Sequence, residues 1–100
     1  MAETTSIRAL VRERRNEILQ LADQHGARRV RLFGSVVRGE AHKASDLDLL
    51  VEMDEDRSLI DRIALKQDLE HLLGVEVDVV TEKALHPVLR SRVLTEAVEL

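Results

Sequence analysis

The chain lacks cysteine, tryptophan and tyrosine, and its 100 residues include one phenylalanine and one proline. Without cysteine there can be no disulfide framework. Residues 1–6 lack the basic and apolar regions of a secretory signal, and no apolar run approaches the roughly 20 residues that a membrane span requires. These absences predict a protein of the cytoplasm with no membrane association.

The scarcity of aromatic side chains also bears on nucleic-acid binding. The only aromatic residue is Phe33, and the formal net charge is -4. A nucleic-acid binder usually has a basic face and aromatic rings on which bases stack. Arg28, Arg29 and Arg31 form a local basic cluster, which is either a contact surface or, as we favour, a solvated edge. We therefore expect no direct contact with nucleic acid.

The length and composition predict a single domain over residues 1–100. The apolar fraction of 44% and the charged fraction of 34% are ordinary for a soluble globular protein. A chain of this length is too short for a catalytic domain plus a separate substrate-binding domain. Most of a large substrate would therefore lie outside this chain.

The pattern of apolar residues predicts an α/β domain. Glycine, proline and N-cap signals divide the chain into three helices and three strands. The predicted elements are a helix over 6–24, strands over 29–33 and 46–53, a helix from Ser58 to Gly74, a strand over 75–80, and a last helix from Pro87 with a packing stripe reaching Leu100. The short connection between the first two strands favours an antiparallel pair. We therefore expect a small mixed β-sheet with flanking helices.

Three aspartates stand at strand positions that would otherwise serve packing. Asp46 and Asp48 alternate with apolar residues at the start of the second strand, while Leu50 on the same face is apolar, as expected where a strand passes from a cleft into the core. Asp78 interrupts the third strand. If these strands are neighbours, the three carboxylates converge and repel one another, which a divalent cation would relieve. Oxygen ligands without sulfur favour Mg²⁺ or Mn²⁺.

A glycine turn precedes these acids. Gly34 lacks a Cβ and lets the backbone approach a phosphate, Ser35 offers a hydroxyl and an N–H, and Arg38 adds a charged donor. Two cations held by Asp46 and Asp48 would clamp an in-line displacement at phosphorus, while Asp78 would bind one of them and help to deprotonate an attacking hydroxyl. This combination indicates nucleotidyl transfer.

The same segments resemble a known family. Residues 34–41, 45–52 and 77–80 are similar to the motifs of the minimal nucleotidyltransferases (MNT), a branch of the DNA polymerase β-like superfamily. Residues 81–85 and 94–98 look like those of MNT antitoxins that are paired with HEPN toxins. Val37 replaces a residue that is often small, and His42 and Lys43 replace a commoner Arg-Pro pair.

This resemblance implies a nucleotidyltransferase (polymerase β-like) fold and a Mg²⁺-dependent enzyme that uses ATP. Such an enzyme transfers AMP to a hydroxyl on its cognate HEPN toxin, with which it forms a hetero-oligomer. The resemblance implies that Gly34 and Ser35 hold the triphosphate and that Asp46, Asp48 and Asp78 bind magnesium. Because the chain has no tyrosine, modification of its own tyrosines is excluded.

Two alternatives remain open from the sequence. The chain could neutralise a toxin by binding alone, with a nucleotide site that is vestigial or structural. It could also be a small-molecule nucleotidyltransferase of the antibiotic-modifying kind, although the helical domain that would build an acceptor pocket is not expected here. The complete set of three aspartates and the glycine turn favours the antitoxin enzyme over the binding module, whereas the small-molecule enzyme fits the same motif and is disfavoured by the missing helical domain.

Overall fold

The computed structural model describes residues 3–38 and 47–100, without the side chains of residues 3–6 and 35. Helices and strands alternate along most of these two ranges, as the sequence predicts. The elements in chain order are α1 (Glu3–Glu13), α2 (Arg15–Gln24), β1 (Ala27–Phe33), α3 (Ser35–Arg38), β2 (Leu47–Met53), α4 (Leu59–Leu73), β3 (Val77–Thr81), a 3₁₀ turn (Glu82–Ala84), α5 (Pro87–Glu96) and β4 (Val98–Glu99).

The four described strands form one mixed sheet in the order β3-β2-β1-β4. The pairs β1–β2 and β1–β4 are antiparallel, whereas β2 and β3 run parallel. The parallel pair needs a crossover connection, which α4 supplies between the two strands. The predicted mixed sheet with an antiparallel first pair is therefore confirmed.

The core lies between one face of the sheet and the helices α2 and α4. Apolar side chains alternate along β2, and Leu47, Leu49 and Val51 are all buried in this layer with Ile18 and Leu65. On the opposite face of β2, Leu50 is also fully buried, whereas Asp48 is 8% exposed. Because β2 is buried from Leu47 to Val51, the predicted passage of this strand from an open cleft into the core is not seen within its described residues.

Two helix boundaries differ from the prediction at the N-terminus. The single predicted helix over 6–24 is divided at Arg14 into α1 and α2. The side chains between the buried residues Val11 and Ile18 are all exposed. No apolar side chain of this mostly charged stretch packs on the core, so tertiary packing does not stabilise one continuous helix there.

The last predicted helix is too long. Helix α5 starts at Pro87 as expected but ends at Glu96, and Val98–Glu99 forms the edge strand β4 beside β1. The N–H of Leu100 donates to the carbonyl of Val30, and Leu100 packs against the core from this strand. The predicted helical stripe reaching Leu100 was therefore wrong, because the pairing of Val98 and Glu99 with β1 replaces the helix before Leu100. None of the described helices is long and apolar enough to cross a membrane.

Surface acids neutralise most of the basic cluster on β1. Arg28 forms an ion pair with Asp54 at 2.9 Å, and Arg29 forms ion pairs with Glu99 and Glu52 at 2.6 and 3.4 Å. Hydrogen bonds and charge attraction to Glu99, and then to Glu52, raise the pKa of the Arg29 guanidinium. These cations are therefore paired with carboxylates of the same sheet and its following loop.

Candidate active site

Asp48 and Asp78 lie opposite each other on neighbouring parallel strands. They are register partners in the β2–β3 pair, and Asp48 also faces Phe33 across the β1–β2 pair. Register partners in a parallel sheet project on the same face, with strands about 4.8 Å apart. Asp48 is buried, whereas Asp78 is exposed to solvent. Two of the three predicted aspartates are thus neighbours on one face of the sheet.

Gly34 is fitted directly against the Asp48 carboxylate. It has φ +80°, and a Cβ at this position would overlap the Asp48 side chain at Oδ2. Both the left-handed backbone and the space therefore require glycine. The carbonyl of Gly34 accepts from the N–H groups of Val37 and Arg38 at 3.1 Å, which closes the single turn α3. The predicted glycine turn is thus in contact with one of the predicted acids.

Helix α3 carries the two other predicted nucleotide-binding residues at its ends. Ser35 begins the helix and Arg38 ends it. On the other side of α3, Arg8 of α1 donates from Nη1 to the carbonyl of Val36 at 3.4 Å. The turn that follows β1 is therefore held between the sheet and the first helix.

Glu96, at the end of α5, binds this turn with both carboxylate oxygens. Oε2 accepts from the backbone N–H of Gly34 at 2.7 Å, and Oε1 accepts from Nη1 of Arg38 at 2.8 Å. Burial alone would raise the pKa of the Glu96 carboxyl, but these two donors stabilise its charged form and leave the pKa below its ordinary value. Glu96 is therefore a carboxylate that stays ionised next to the glycine turn.

Two side chains of α4 hold the strand that carries Asp78. Glu70 Oε2 accepts from the backbone N–H of Val77 at 3.0 Å, and Arg62 Nη1 donates to the carbonyl of Val79 at 2.9 Å. The ion pair with Lys66, and then the Val77 N–H, lower the pKa of the Glu70 carboxyl. The backbone on both sides of Asp78 is thus fixed by charged groups from the neighbouring helix.

The donor set fits a hard divalent cation, as far as the described residues allow. Asp48 and Asp78 offer carboxylate oxygens on adjacent strands, where their like charges would repel without a cation. Asp46 lies outside the described residues. Within residues 3–38 and 47–100, no group of three or more His, Cys, Asp or Glu side chains is arranged to hold a metal ion. The three-aspartate set therefore stays a prediction, of which two members are neighbours.

A cleft of about 390 Å³ lies at the opposite end of β2 and β3. Its lining includes Met53 and Thr81 at the ends of these strands, with the Arg28–Asp54 ion pair and Lys83. Met53 is five positions from Asp48 along β2, which corresponds to roughly 16 Å at the usual rise per residue. This mixed-charge cleft is therefore distinct from the site around Asp48.

Sequence reasoning missed three residues that support the site. Glu96, Glu70 and Arg62 are charged helix residues, and such residues usually face solvent. The strongest available indication was Glu96, which stands in the last turn of a helix where an acidic side chain is unfavourable. Its partners are 62 and 58 positions away along the chain. No local pattern could connect residues so distant.

Comparison with known proteins gives two close relatives among adenylyltransferases. The nucleotidyltransferase domain family matches residues 11–100. The protein adenylyltransferase MntA of Thermococcus cleftensis is 43% identical over 79% of this chain and 80% of its own length. A Methanocaldococcus jannaschii protein with the provisional name protein adenylyltransferase MJ0435 is 43% identical over 90% of this chain and 97% of its own length.

Solved structures with the same fold come from the same group. A chain provisionally named minimal nucleotidyltransferase is 54% identical, covers 97% of this chain and 95% of its own, and has a TM-score of 0.78. A toxin–antitoxin structure with AMP-PNP is 30% identical, covers 84% of this chain and 69% of its own, and has a TM-score of 0.68.

A third structure contains a tri-AMPylated HEPN toxin of Shewanella oneidensis in complex with its MNT antitoxin. The matched chain is 27% identical, covers 84% of this chain and 66% of its own, and has a TM-score of 0.64. The expected fold and enzyme class are both confirmed by these likenesses. The chain belongs to the nucleotidyltransferase domain family, and within it to the minimal nucleotidyltransferases named protein adenylyltransferases.

Proposed function

We propose that this nucleotidyltransferase transfers AMP from ATP to a hydroxyl of a cognate HEPN toxin and thereby acts as its antitoxin. Its relatives include protein adenylyltransferases and an antitoxin seen with a tri-AMPylated HEPN toxin. The proposal rests on the positions of three predicted site residues. Gly34 lies against Asp48, and Asp48 is in register with Asp78. The proximity of the glycine turn to these two acids supports a common site for nucleotide and metal.

Each predicted residue has a role in this proposal. Asp46, Asp48 and Asp78 hold Mg²⁺, which when bound neutralises charge on the triphosphate of ATP. Gly34 and Ser35 orient the triphosphate by letting it approach the backbone of the turn. Asp78, which is exposed on the same face, accepts the proton of the acceptor hydroxyl as the hydroxyl oxygen bonds to the α-phosphorus and the bond to the departing pyrophosphate breaks.

Arg38 has a peripheral role in this proposal. Its Nη1 donates to Glu96 at 2.8 Å. A guanidinium carries five N–H groups in a fixed plane, and this geometry allows one side chain to bind both a carboxylate and a phosphate. We assign it as a peripheral nucleotide contact that Glu96 orients.

The experiment is a transfer assay with ATP labelled at the α-phosphate, MgCl₂, the purified chain and its cognate HEPN toxin. Asp48→Asn keeps the shape of the buried side chain, and we expect labelling of the toxin to fall by about 10² or more. Asp56→Asn is the matched control, because Asp56 is an exposed aspartate in the loop after β2. Control labelling should equal that of the wild type.

The outcomes separate this function from its alternative. Equal labelling by the wild type and Asp48→Asn would remove Asp48 from the catalytic machinery. Full neutralisation of the toxin without any labelling would mean that the chain acts by binding alone. Removal of divalent cations with a chelator should abolish labelling, and continued labelling would contradict the metal assignment.

A further inference from the structure

Glu96 connects the two elements on which the proposed nucleotide site depends. Its carboxylate bridges the Gly34 N–H and the Arg38 guanidinium, and we call these two hydrogen bonds the Glu96 bridge. The bridge joins the end of α5 to both ends of the segment 34–38. The bridge therefore ties α5 to the glycine turn and to Arg38.

Glu96 stands at an unfavourable place in its own helix, apart from the charge attraction of Arg92 one turn earlier. It is the last residue of α5, and the last turn of this helix contains no basic residue. A carboxylate at a helix C-terminus is repelled by the helix dipole. An acidic side chain held in this position is therefore explained by its partners outside the helix.

The rest of the chain fixes Glu96 from both sides. Val93, one turn earlier in α5, is buried, and the N–H of Ala97 donates to its carbonyl at 2.9 Å. Directly after Glu96, β4 pairs with β1 through Val98 and Glu99. The Glu96 backbone is therefore anchored to the sheet, and its side chain can act as a rigid support.

The ion pair of the bridge is less exposed to water than the neighbouring ion pair between Arg29 and Glu99. The side chains of Arg38 and Glu96 are 27% and 15% exposed, whereas those of Arg29 and Glu99 are 48% and 58% exposed. Charged hydrogen bonds that are partly removed from solvent are stronger than those at the open surface. We therefore expect the Arg38–Glu96 ion pair to be stronger than the Arg29–Glu99 ion pair.

Gly34 contacts both Glu96 and Asp48, and therefore connects the Glu96 bridge with the predicted metal ligand. Its N–H is held by Glu96, and its Cα faces the Asp48 side chain with no room for a Cβ. A shift of the turn by about 1 Å would therefore change both the phosphate approach and the position of Asp48, and errors of this size can cost about 10² in rate.

We propose that Glu96 is a positioning residue that sets the glycine turn and Arg38 for binding of the ATP triphosphate. This inference rests on the proposed function, because it assumes that the turn binds a nucleotide. Glu96 acts through Gly34 and Arg38 and does not itself bind ATP. The opposite relation, in which Glu96 occupies the phosphate position and competes with ATP, gives the opposite result in the test below.

The test is calorimetric titration of the full chain with AMP-PNP and MgCl₂, below the unfolding temperature of every variant. We expect Glu96→Ala to weaken binding about tenfold or more, and Glu96→Gln, which keeps one acceptor for the Gly34 N–H, to lie between Glu96→Ala and the wild type. Glu99→Ala removes the neighbouring ion pair with Arg29 and should change affinity less than twofold. Tighter binding by Glu96→Ala, or unchanged binding, would overturn the proposal.

An NMR spectrum of the ¹⁵N-labelled chain adds a readout independent of nucleotide. The Gly34 amide proton should move upfield in Glu96→Ala and stay in place in Glu99→Ala, since only the first loses a short bond to a carboxylate. An unmoved Gly34 resonance would contradict the bridge. If wild-type chain binds AMP-PNP but does not label the toxin, the proposed transfer fails while the positioning role stands.

Discussion

Asp48 and Asp78 are register partners on parallel strands, with Asp48 buried and Asp78 exposed. Like charges about 4 Å apart repel by about 4 kcal/mol at an effective dielectric near 20, and a cation between two carboxylates relieves such repulsion. Solvent at Asp78 reduces this repulsion. We therefore expect the pair to bind a cation.

The first prediction concerns Asp78→Asn. In the presence of a chelator, we expect this variant to unfold at a higher temperature than the wild type, because the repulsion with Asp48 is gone. Millimolar MgCl₂ should raise the unfolding temperature of the wild type, since a ligand that binds the folded state stabilises it. The variant should respond less. A variant that is less stable than the wild type with chelator present would contradict the cation role.

The second prediction compares two glycines with similar backbone angles. Gly34 and Gly74 have φ +80° and +71°, but a Cβ on Gly34 meets Asp48 whereas a Cβ on Gly74 meets nothing within 4 Å. Gly34→Ala and Gly74→Ala should each lose about 1–3 kcal/mol of unfolding free energy from backbone strain. Only Gly34→Ala should also lose AMP transfer, because it displaces the Asp48 carboxylate. Equal activity of both variants would separate Gly34 from the site.

A third prediction concerns the hydrogen bond by which the Glu70 carboxylate of α4 binds the Val77 N–H of β3. The Glu70 carboxyl has a pKa lowered below its ordinary value of 4.5 by Lys66 and by the Val77 N–H. A lowered folded-state pKa means that the ionised group stabilises the fold above its unfolded-state pKa, and that this contribution is lost as pH falls through the folded-state pKa. Glu70→Gln should therefore be less stable than the wild type at neutral pH.

The stability difference between Glu70→Gln and the wild type should close as the pH is lowered below 4.5. Denaturant unfolding at a series of pH values measures it directly. Glu17→Gln is the control, because Glu17 forms an exposed ion pair with Arg14 and such pairs contribute little. A difference that stays constant down to acidic pH would show that the Glu70 charge does not anchor β3.

The fourth prediction tests the start of α4. The Ser58 hydroxyl accepts from the N–H of Ile60 at 3.2 Å, and Asp61 Oδ2 accepts from the N–H of Ser58 at 2.9 Å, which together form a capping box. Ser58→Ala should lower the unfolding free energy by about 1 kcal/mol. Ser91→Ala, at an exposed position within α5, should have little effect. Similar losses for both serines would exclude the cap as the cause.

The sequence was sufficient for the features that local physics controls. The capping residue Ser58, the left-handed Gly74 and the alternation along β2 each depend on neighbours close in the chain, and the structure confirms all three. The antiparallel β1–β2 pair could be inferred because a short connection excludes a crossover. The neighbouring positions of Asp48 and Asp78 followed from the same topology once β2 and β3 were adjacent.

The features that could not be predicted from the sequence depend on contacts between residues distant in the chain. Leu100 reads as part of a helical stripe because its spacing from Val93 fits two turns, yet the open edge of β1 binds the chain there as a strand. Glu96 shows the same limit, since its partners lie in a different element 62 and 58 positions away. Tertiary hydrogen bonds of this kind have no signature in local periodicity.

In the proposed function, this chain attaches AMP to a HEPN toxin by means of the acids beside the glycine turn. Intact mass spectrometry of the toxin, after co-expression with either wild-type chain or Asp48→Asn, measures this modification. We expect toxin heavier by one or more AMP units with the wild type and unmodified toxin with the variant. Toxin of unmodified mass in both samples, with its activity still neutralised, would rule out AMP transfer as the means of neutralisation.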